Sequence, residues 1–308
     1  MSSAPTLLVA GYLTVDIGCR VDTIAGWDER VTALSVERTQ GGMAANCACA
    51  AARLGTPTRF FGHTETGPLG DEALAALEAW GVDSSPMLRS PEGGSFCIIL
   101  VGADGRRMIV SEPLDYDWGP LDEALAGWTG GPGMLYVDGY RLPGALERAR
   151  TARAAGLATA VDLDGLEPVD EAALEDAAGA FDVLLLNRGI AAAVGADPAE
   201  LAERLAGSGP NAVCVTLGAD GAVVASAGAA AGHVEPVAVD ALDTTGAGDA
   251  FAGAFLHRTL AGANARAAAA FANAAAALST TGAGARGHLP AETEVLARMD
   301  PTTRGERQ

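Results

Sequence analysis

Lysine is missing from the chain altogether: all 20 basic residues among the 308 are arginine. That absence excludes a Walker-type phosphate-binding lysine, the lysine of protein kinases and a cofactor Schiff base. If a nucleoside triphosphate is handled, backbone amides, arginine and metal must carry its charge. Positive charge is scarce in general. Against 39 acidic residues the net charge is −19, and a surface this short of clustered cations is unsuited to nucleic acid or an acidic membrane. Cysteines number five, Cys19, Cys47, Cys49, Cys97 and Cys214. Odd in number and scattered through apolar stretches, they argue for buried free thiols and against a disulfide framework or a zinc site. No run looks like a membrane span. The uncharged stretch from Ala267 to Ala285 is mostly Ala, Gly, Ser, Thr and Asn, and reads as a closely packed soluble helix and loop. Met1 to Leu13 has neither a basic n-region nor a small-residue cleavage pattern, so a cytoplasmic location is expected. No GxGxxG follows the first predicted strand, which disfavours a dinucleotide-dependent oxidoreductase.

What is present is apolar and regular. Apolar residues make up 49% of the chain, enough for a large core in one main domain, read as residues 1–308. A buried strand is predicted at Thr6 to Ala10, with shorter, more polar strands at Cys19 to Ile24 and Val31 to Arg38. A helix follows at Met43 to Leu54, a strand around Arg59 to Phe61 and a helix from Leu69 to Trp80. Ser95 to Val101 and Arg106 to Glu112 flank Gly102-Ala103-Asp104-Gly105 as a hairpin. After the loop Gly130 to Gly133 the order is strand Met134 to Asp138, helix Gly144 to Ala155, strand Ala158 to Asp162, helix Glu171 to Ala178, strand Val183 to Leu186, helix Ala199 to Leu205 and strand Ala212 to Leu217. Such alternation predicts an α/β fold with a central, mostly parallel sheet flanked by helices on both faces. The segments near 12–40 and 95–112 would form a small β extension.

Chemistry concentrates in Asp243-Thr244-Thr245-Gly246-Ala247-Gly248-Asp249, directly before the apolar stretch starting at Ala250-Phe251. A turn of small residues lets backbone N–H groups face an anion, the helix start adds the positive end of its dipole, and Asp249 can accept a proton. That pairing of anion cradle and base suits phosphoryl transfer.

The segment resembles the C-terminal signature DTxGAGD of the ribokinase-like, or PfkB, carbohydrate kinases, and Gly41-Gly42-Met43-Ala44-Ala45-Asn46 resembles that family's second signature. The resemblance runs from about Leu7 to Pro290. It implies a ribokinase-like fold whose β extension is a lid over the sugar and a homodimer contact, with ATP and Mg²⁺ as partners of the reaction. By the same resemblance Asp249 is the base, Gly246, Ala247 and Gly248 form the anion hole, and Asp16, Gly41, Gly42 and Asn46 meet the sugar. Thr216, Gly218 and Gly221 border the nucleotide, Asn273 borders the adenine, and Asp243 with Thr245 resembles a K⁺ site closed by Gly282 to His288. Asn187 matches the first residue of the family's Asn-x-x-Glu motif, which supports hydrated magnesium, yet Ile190 stands where Glu is expected. Asp162 or Asp164 could supply that carboxylate through water, or simply cap a helix.

Arg106, Arg107 and Arg141 are candidates for an anionic group on the substrate, since the guanidinium fork suits carboxylate, phosphate or sulfonate. A nucleoside kinase of the same fold is kept open by Trp27 and Phe96, which could stack on a base. A catalytically silent nucleotide-binding regulator is kept open by Ile190. Ala291 to Gln308 reads as a short helix and a frayed polar tail.

Overall fold

The computed structural model describes residues 4–91, 96–104, 106–111, 116–129 and 131–300. The strand ends Ser95 and Glu112, the turn residue Gly105, the loop residue Gly130 and the tail beyond residue 300 lie outside the described residues.

The first half of the chain contains β1 (Thr6–Ala10), β2 (Thr14–Arg20), β3 (Ser35–Gly41), α1 (Met43–Arg53), β4 (Thr58–Phe61), β5 (His63–Glu65), α2 (Pro68–Ala79), β6 (Leu88–Ser90), β7 (Phe96–Val101), β8 (Arg107–Ser111), α3 (Gly119–Ala126) and β9 (Gly133–Asp138). Then follow α4 (Leu142–Ala154), β10 (Ala158–Asp162), α5 (Glu171–Ala180), β11 (Val183–Asn187), α6 (Arg188–Ala193), α7 (Pro198–Ala206), β12 (Ala212–Thr216), β13 (Ala222–Ser226), β14 (Ala229–Val234), α8 (Ala247–Leu260), α9 (Ala265–Ser279) and α10 (Glu292–Met299).

Eight strands form the main sheet in the order β14-β13-β12-β11-β10-β9-β1-β4. All neighbours from β12 to β4 run parallel, and β13 and β14 add an antiparallel edge. Successive strand residues point to opposite faces, and the packing follows that period. Leu7, Val9, Met134 and Tyr136 join the layer of α1, α8 and α9, whereas Leu8, Ala10, Leu135 and Val137 join that of α4, α5 and α7. Both faces are covered, so the parallel strands read as continuous apolar runs. Truncating Leu8, fully buried in one of these layers, to Ala would cost about 2–5 kcal/mol.

The expected lid is a four-stranded sheet ordered β3-β2-β7-β8. Its boundaries differ from the sequence reading. β2 starts at Thr14 and β3 runs to Gly41, because β2 bonds β3 on one edge from Thr14 to Arg20 and β7 on the other from Val15 to Arg20. Ladder hydrogen bonds outweigh the turn-like composition of Gly11 to Asp16, so Asp16 sits within a strand rather than in a turn. The β13–β14 hairpin was not expected either: Ala-Ala-Ala-Gly in β14 has poor strand propensity and is ordered by packing on α7 and α9.

Candidate active site

The parallel strands deliver polar residues at their carboxyl ends, where ligands of open α/β sheets bind. Asp138 closes β9, Asp162 closes β10, and Asn187 and Thr216 lie opposite one another at the ends of β11 and β12. The start of α8 reaches the same edge.

Gly246 is the N-cap of α8 and adopts the left-handed conformation, φ 73°. A Cβ there would lie 2.6 Å from that of Ala285, so both backbone and space demand glycine. No side chain caps α8. The Ala247 amide, which the sequence suggests for the cradle, donates to the Thr244 carbonyl at 3.2 Å. Amides at the second and third helical positions, Gly248 and Asp249, have no helical acceptor four residues back and remain as donors. A Cβ on Gly248 would meet nothing within 4 Å. Asp243 ties the preceding loop to residues 282–288: its Oδ1 accepts from the Thr245 amide at 2.9 Å and its Oδ2 from Gly284 at 2.8 Å. Desolvation opposes its charge, but these amides hold the carboxyl below its usual range.

Asp249 is partly buried in the first turn of α8. Burial pushes its carboxyl up to about 7; the Asn46 amide pulls the other way, Asp164 adds to the rise, Arg286 opposes it and Asp138 adds to it. A carboxyl in that range suits proton abstraction near neutral pH. Asn46 Nδ2 donates to Asp249 Oδ2 at 2.7 Å, and Asn46 Oδ1 accepts from Arg286 Nε at 2.7 Å. Both ends of Asn46 are therefore engaged within the protein, and the side chain is buried rather than open to a sugar. Asp16 projects from β2 beside Gly41, where a Cβ would lie 2.2 Å from its Oδ2. Its Oδ1 accepts from Thr14 Oγ1 at 2.8 Å. Burial raises the Asp16 carboxyl, while Thr14 and Arg286 hold it back. Gly42 has φ 93°, and a side chain there would strike the Tyr12 carbonyl at 2.3 Å.

On the other side of the α8 start lies a cavity of about 560 Å³. Thr216, Gly218, Gly221, Ala247, Gly248 and Asn273 are among its lining residues. Asn273 Nδ2 is spent on the carbonyls of Val234 and Glu235, at 3.1 and 2.9 Å, so it fastens the wall. Asn187 is not among the residues lining this cavity. Its Oδ1 caps α6 by accepting from the Ile190 amide at 3.0 Å, and Ile190 packs into the apolar layer.

Arg141 Nε donates to the Tyr12 hydroxyl at 2.9 Å beside Asp138, whose carboxylate accepts from the Tyr12 amide at 2.8 Å. Burial pushes the Asp138 carboxyl to about 7 against the Tyr12 and Tyr140 amides and the Arg141 charge. Tyr12 and Tyr140 meet edge to face, with ring centroids 5.1 Å apart. Arg106 instead folds onto Asp104 at the tip of the β7–β8 hairpin, and Arg107 is an exposed residue of β8. Trp27 is almost wholly exposed. Phe96 stands opposite Val15 in the ladder and so lies on the face away from Asp16. Phe96 is therefore not placed to stack on a base beside Asp16.

Sequence reasoning missed Asp138, Tyr140 and Arg286. Asp138 looks like any strand-end carboxylate. Arg286 carries a faint signal, being the first charged residue after a long uncharged run of small residues.

Among curated proteins the chain is 31% identical over 258 residues to an ATP-dependent ribose-1-phosphate kinase of Halopiger xanaduensis, covering 81% of this chain and 83% of the relative. It is likewise 31% identical over 258 residues to a 2-dehydro-3-deoxygalactonokinase of Haloferax volcanii, covering 76% and 80%. Ribokinase from Thermotoga maritima superposes with a TM-score of 0.80 at 25% identity, over 96% of this chain and 99% of that one. The fold is thus ribokinase-like. With the pfkB family carbohydrate kinase model matching residues 4–292, the chain belongs to that family and is a carbohydrate kinase.

Proposed function

We propose that the protein transfers the γ-phosphoryl group of ATP to a hydroxyl of a small sugar or sugar derivative, with Asp249 as general base. The observation carrying this reading is the position of Asp249. It lies in the first turn of an uncapped helix that lines the 560 Å³ cavity, and its carboxylate is joined through Asn46 and Arg286 to Gly41, the packing partner of Asp16.

In this mechanism ATP lies in the cavity and the sugar under the β2–β7 lid, where the carboxylate of Asp16 accepts bonds from its hydroxyls. The Asp249 carboxylate takes the proton of the attacking hydroxyl. That oxygen bonds the γ-phosphorus, the bond from phosphorus to the β–γ bridging oxygen breaks, and ADP leaves. The amides of Gly248 and Asp249, together with Gly246, stabilise charge on the equatorial oxygens. Mg²⁺ neutralises triphosphate charge when bound. Asp164, an exposed carboxylate two residues beyond β10, would hold it, whereas Asn187 Oδ1 is engaged as a cap. The Asp243 carboxylate takes one amide on each oxygen and keeps a lone pair on each, so Asp243 and Thr245 stay the proposed K⁺ site.

The ribose-1-phosphate kinase relative supports ATP as donor and a sugar carrying an anion as acceptor. Arg141 at the site mouth is the cation placed to meet such a group. A homodimer through the lid is supported by the face opposite Asp16, where Val36, Met108 and Val110 are exposed. The test is ATP consumption over ribose, ribose 1-phosphate, ketoses, sugar acids, sulfonated sugars and nucleosides. Asp249→Asn should lower turnover by several powers of ten on the substrate found while ATP still binds; unchanged turnover would remove the base.

A further inference from the structure

Arg286 is 9% exposed and makes no ion pair among the described residues, although a buried cation without a counter-ion is costly. Its Nε donates to Asn46 Oδ1 at 2.7 Å and its Nη2 to the Gly41 carbonyl at 2.9 Å. Nη1 is buried with no partner among the described residues.

A guanidinium only donates, so it dictates which way the Asn46 amide faces. The oxygen must turn to Arg286, which leaves the NH₂ directed at Asp249, where it donates at 2.7 Å. Released from arginine, the amide could rotate and present its oxygen to the carboxylate, exchanging an attraction for a repulsion. The same side chain grips Gly41, whose missing Cβ admits the carboxylate of Asp16. Charged and titratable groups around Asp249 come from every side: Cys47 on α1, Tyr136 and Asp138 on β9, Tyr140 beyond it, Asp162 and Asp164 at the end of β10, and Arg286 from residues 282–288. Of these, the arginine alone is cationic.

We propose that Arg286 is a positioning residue that orients Asn46, holds the Asp249 carboxylate in its ionised form, and ties the base to the sugar-binding strand at Gly41. This inference rests on Asp249 being the base. A role in packing alone would lower activity equally at every pH, whereas a role through Asp249 moves the acid limb.

The experiment measures kcat/KM against pH for the holoenzyme with Mg-ATP and the best sugar of the substrate panel. In Arg286→Met the acid limb should move up by about one pH unit, giving a loss of about tenfold near pH 6 that narrows to within about threefold near pH 9. Arg286→Lys keeps the charge but has one donor group, and its limb should move less. A folded Arg286→Met protein with an unmoved limb overturns the proposal. Should that variant fail to fold, Arg286→Lys decides: a displaced limb supports the role and an unmoved one refutes it. Asp249→Asn run in parallel separates the two claims. Turnover near wild type refutes the base itself, while lost turnover beside an unmoved Arg286 limb refutes only the assignment to arginine.

Discussion

Asp249 should destabilise the protein it serves, and the penalty should depend on pH. Its carboxyl titrates at about 7 in the folded chain against an ordinary 3.8, chiefly through burial. The folded state therefore binds the proton more tightly than the unfolded state. Stability is complete below about pH 4, falls as pH rises between the two values, and is level above about 7. A gap of about three pH units, at about 1.4 kcal/mol each, makes the loss about 4 kcal/mol. Asp249→Asn keeps an oxygen for Asn46 but cannot ionise, so it should escape that loss. Asp138, also held at about 7, is present in both proteins and largely drops out of the difference. Thermal melts of both proteins at pH 4, 6 and 8 provide the assay. The variant's advantage should grow by about 4 kcal/mol between the extremes, or about 8 °C at roughly 2 °C per kcal/mol. Parallel Tm curves, with the same offset at all three values, would refute a folded-state carboxyl raised to about 7.

Three further outcomes follow from the geometry. Gly248→Ala places its methyl where no protein atom lies within 4 Å, in the wall of the 560 Å³ cavity proposed to take ATP. Stability should hold or rise by up to about 1 kcal/mol from helix propensity, while the KM for ATP rises about tenfold or more, equivalent to about 1.4 kcal/mol. Ile190→Glu restores the residue the family resemblance leads one to expect, but Ile190 is 5% exposed within an apolar layer. An unpaired carboxylate there should cost about 3–5 kcal/mol by urea denaturation and leave the magnesium dependence of activity no steeper. Val110→Asp puts a charge in the exposed apolar face of the lid, and sedimentation equilibrium should show a dimer become a monomer.

Legibility in the sequence followed the range of the interactions involved. β1 and β10 match the reading residue for residue, since short buried runs, Leu7 to Ala10 in β1 and Thr159 to Asp162 around Ala160-Val161 in β10, define a strand locally. The helices shift by no more than two residues at most ends, because capping is local as well. β2 and β13 were blurred or missed: their order comes from ladder partners and from packing, and single-segment propensity contains neither. The site divides the same way. Asp249 and its glycine-rich turn are contiguous, so a motif suffices to find them. Arg286 meets Asn46 across 240 residues of sequence, and nothing near position 46 or 286 announces that bond.

The absence of lysine then acquires a structural meaning. Asp138, Asp162, Asp164 and Asp249 gather at this edge of the sheet, a concentration of negative charge that would oppose a triphosphate bound as proposed and opposes ionisation of Asp249. In the proposed mechanism, helix amides at the start of α8 would answer the first problem with fixed partial charges that cannot titrate or collapse onto a carboxylate. The second needs a full charge close to Asp249 that does not quench it. A lysine there would be compact and mobile, free to pair directly with the base. Arg286, pinned by the Gly41 carbonyl and the Asn46 oxygen, acts through an intervening amide instead, so the carboxylate is stabilised without being capped by an ion pair. The separation of cation and base by one asparagine is what leaves Asp249 Oδ1 free of any hydrogen bond to Asn46 and available to a hydroxyl.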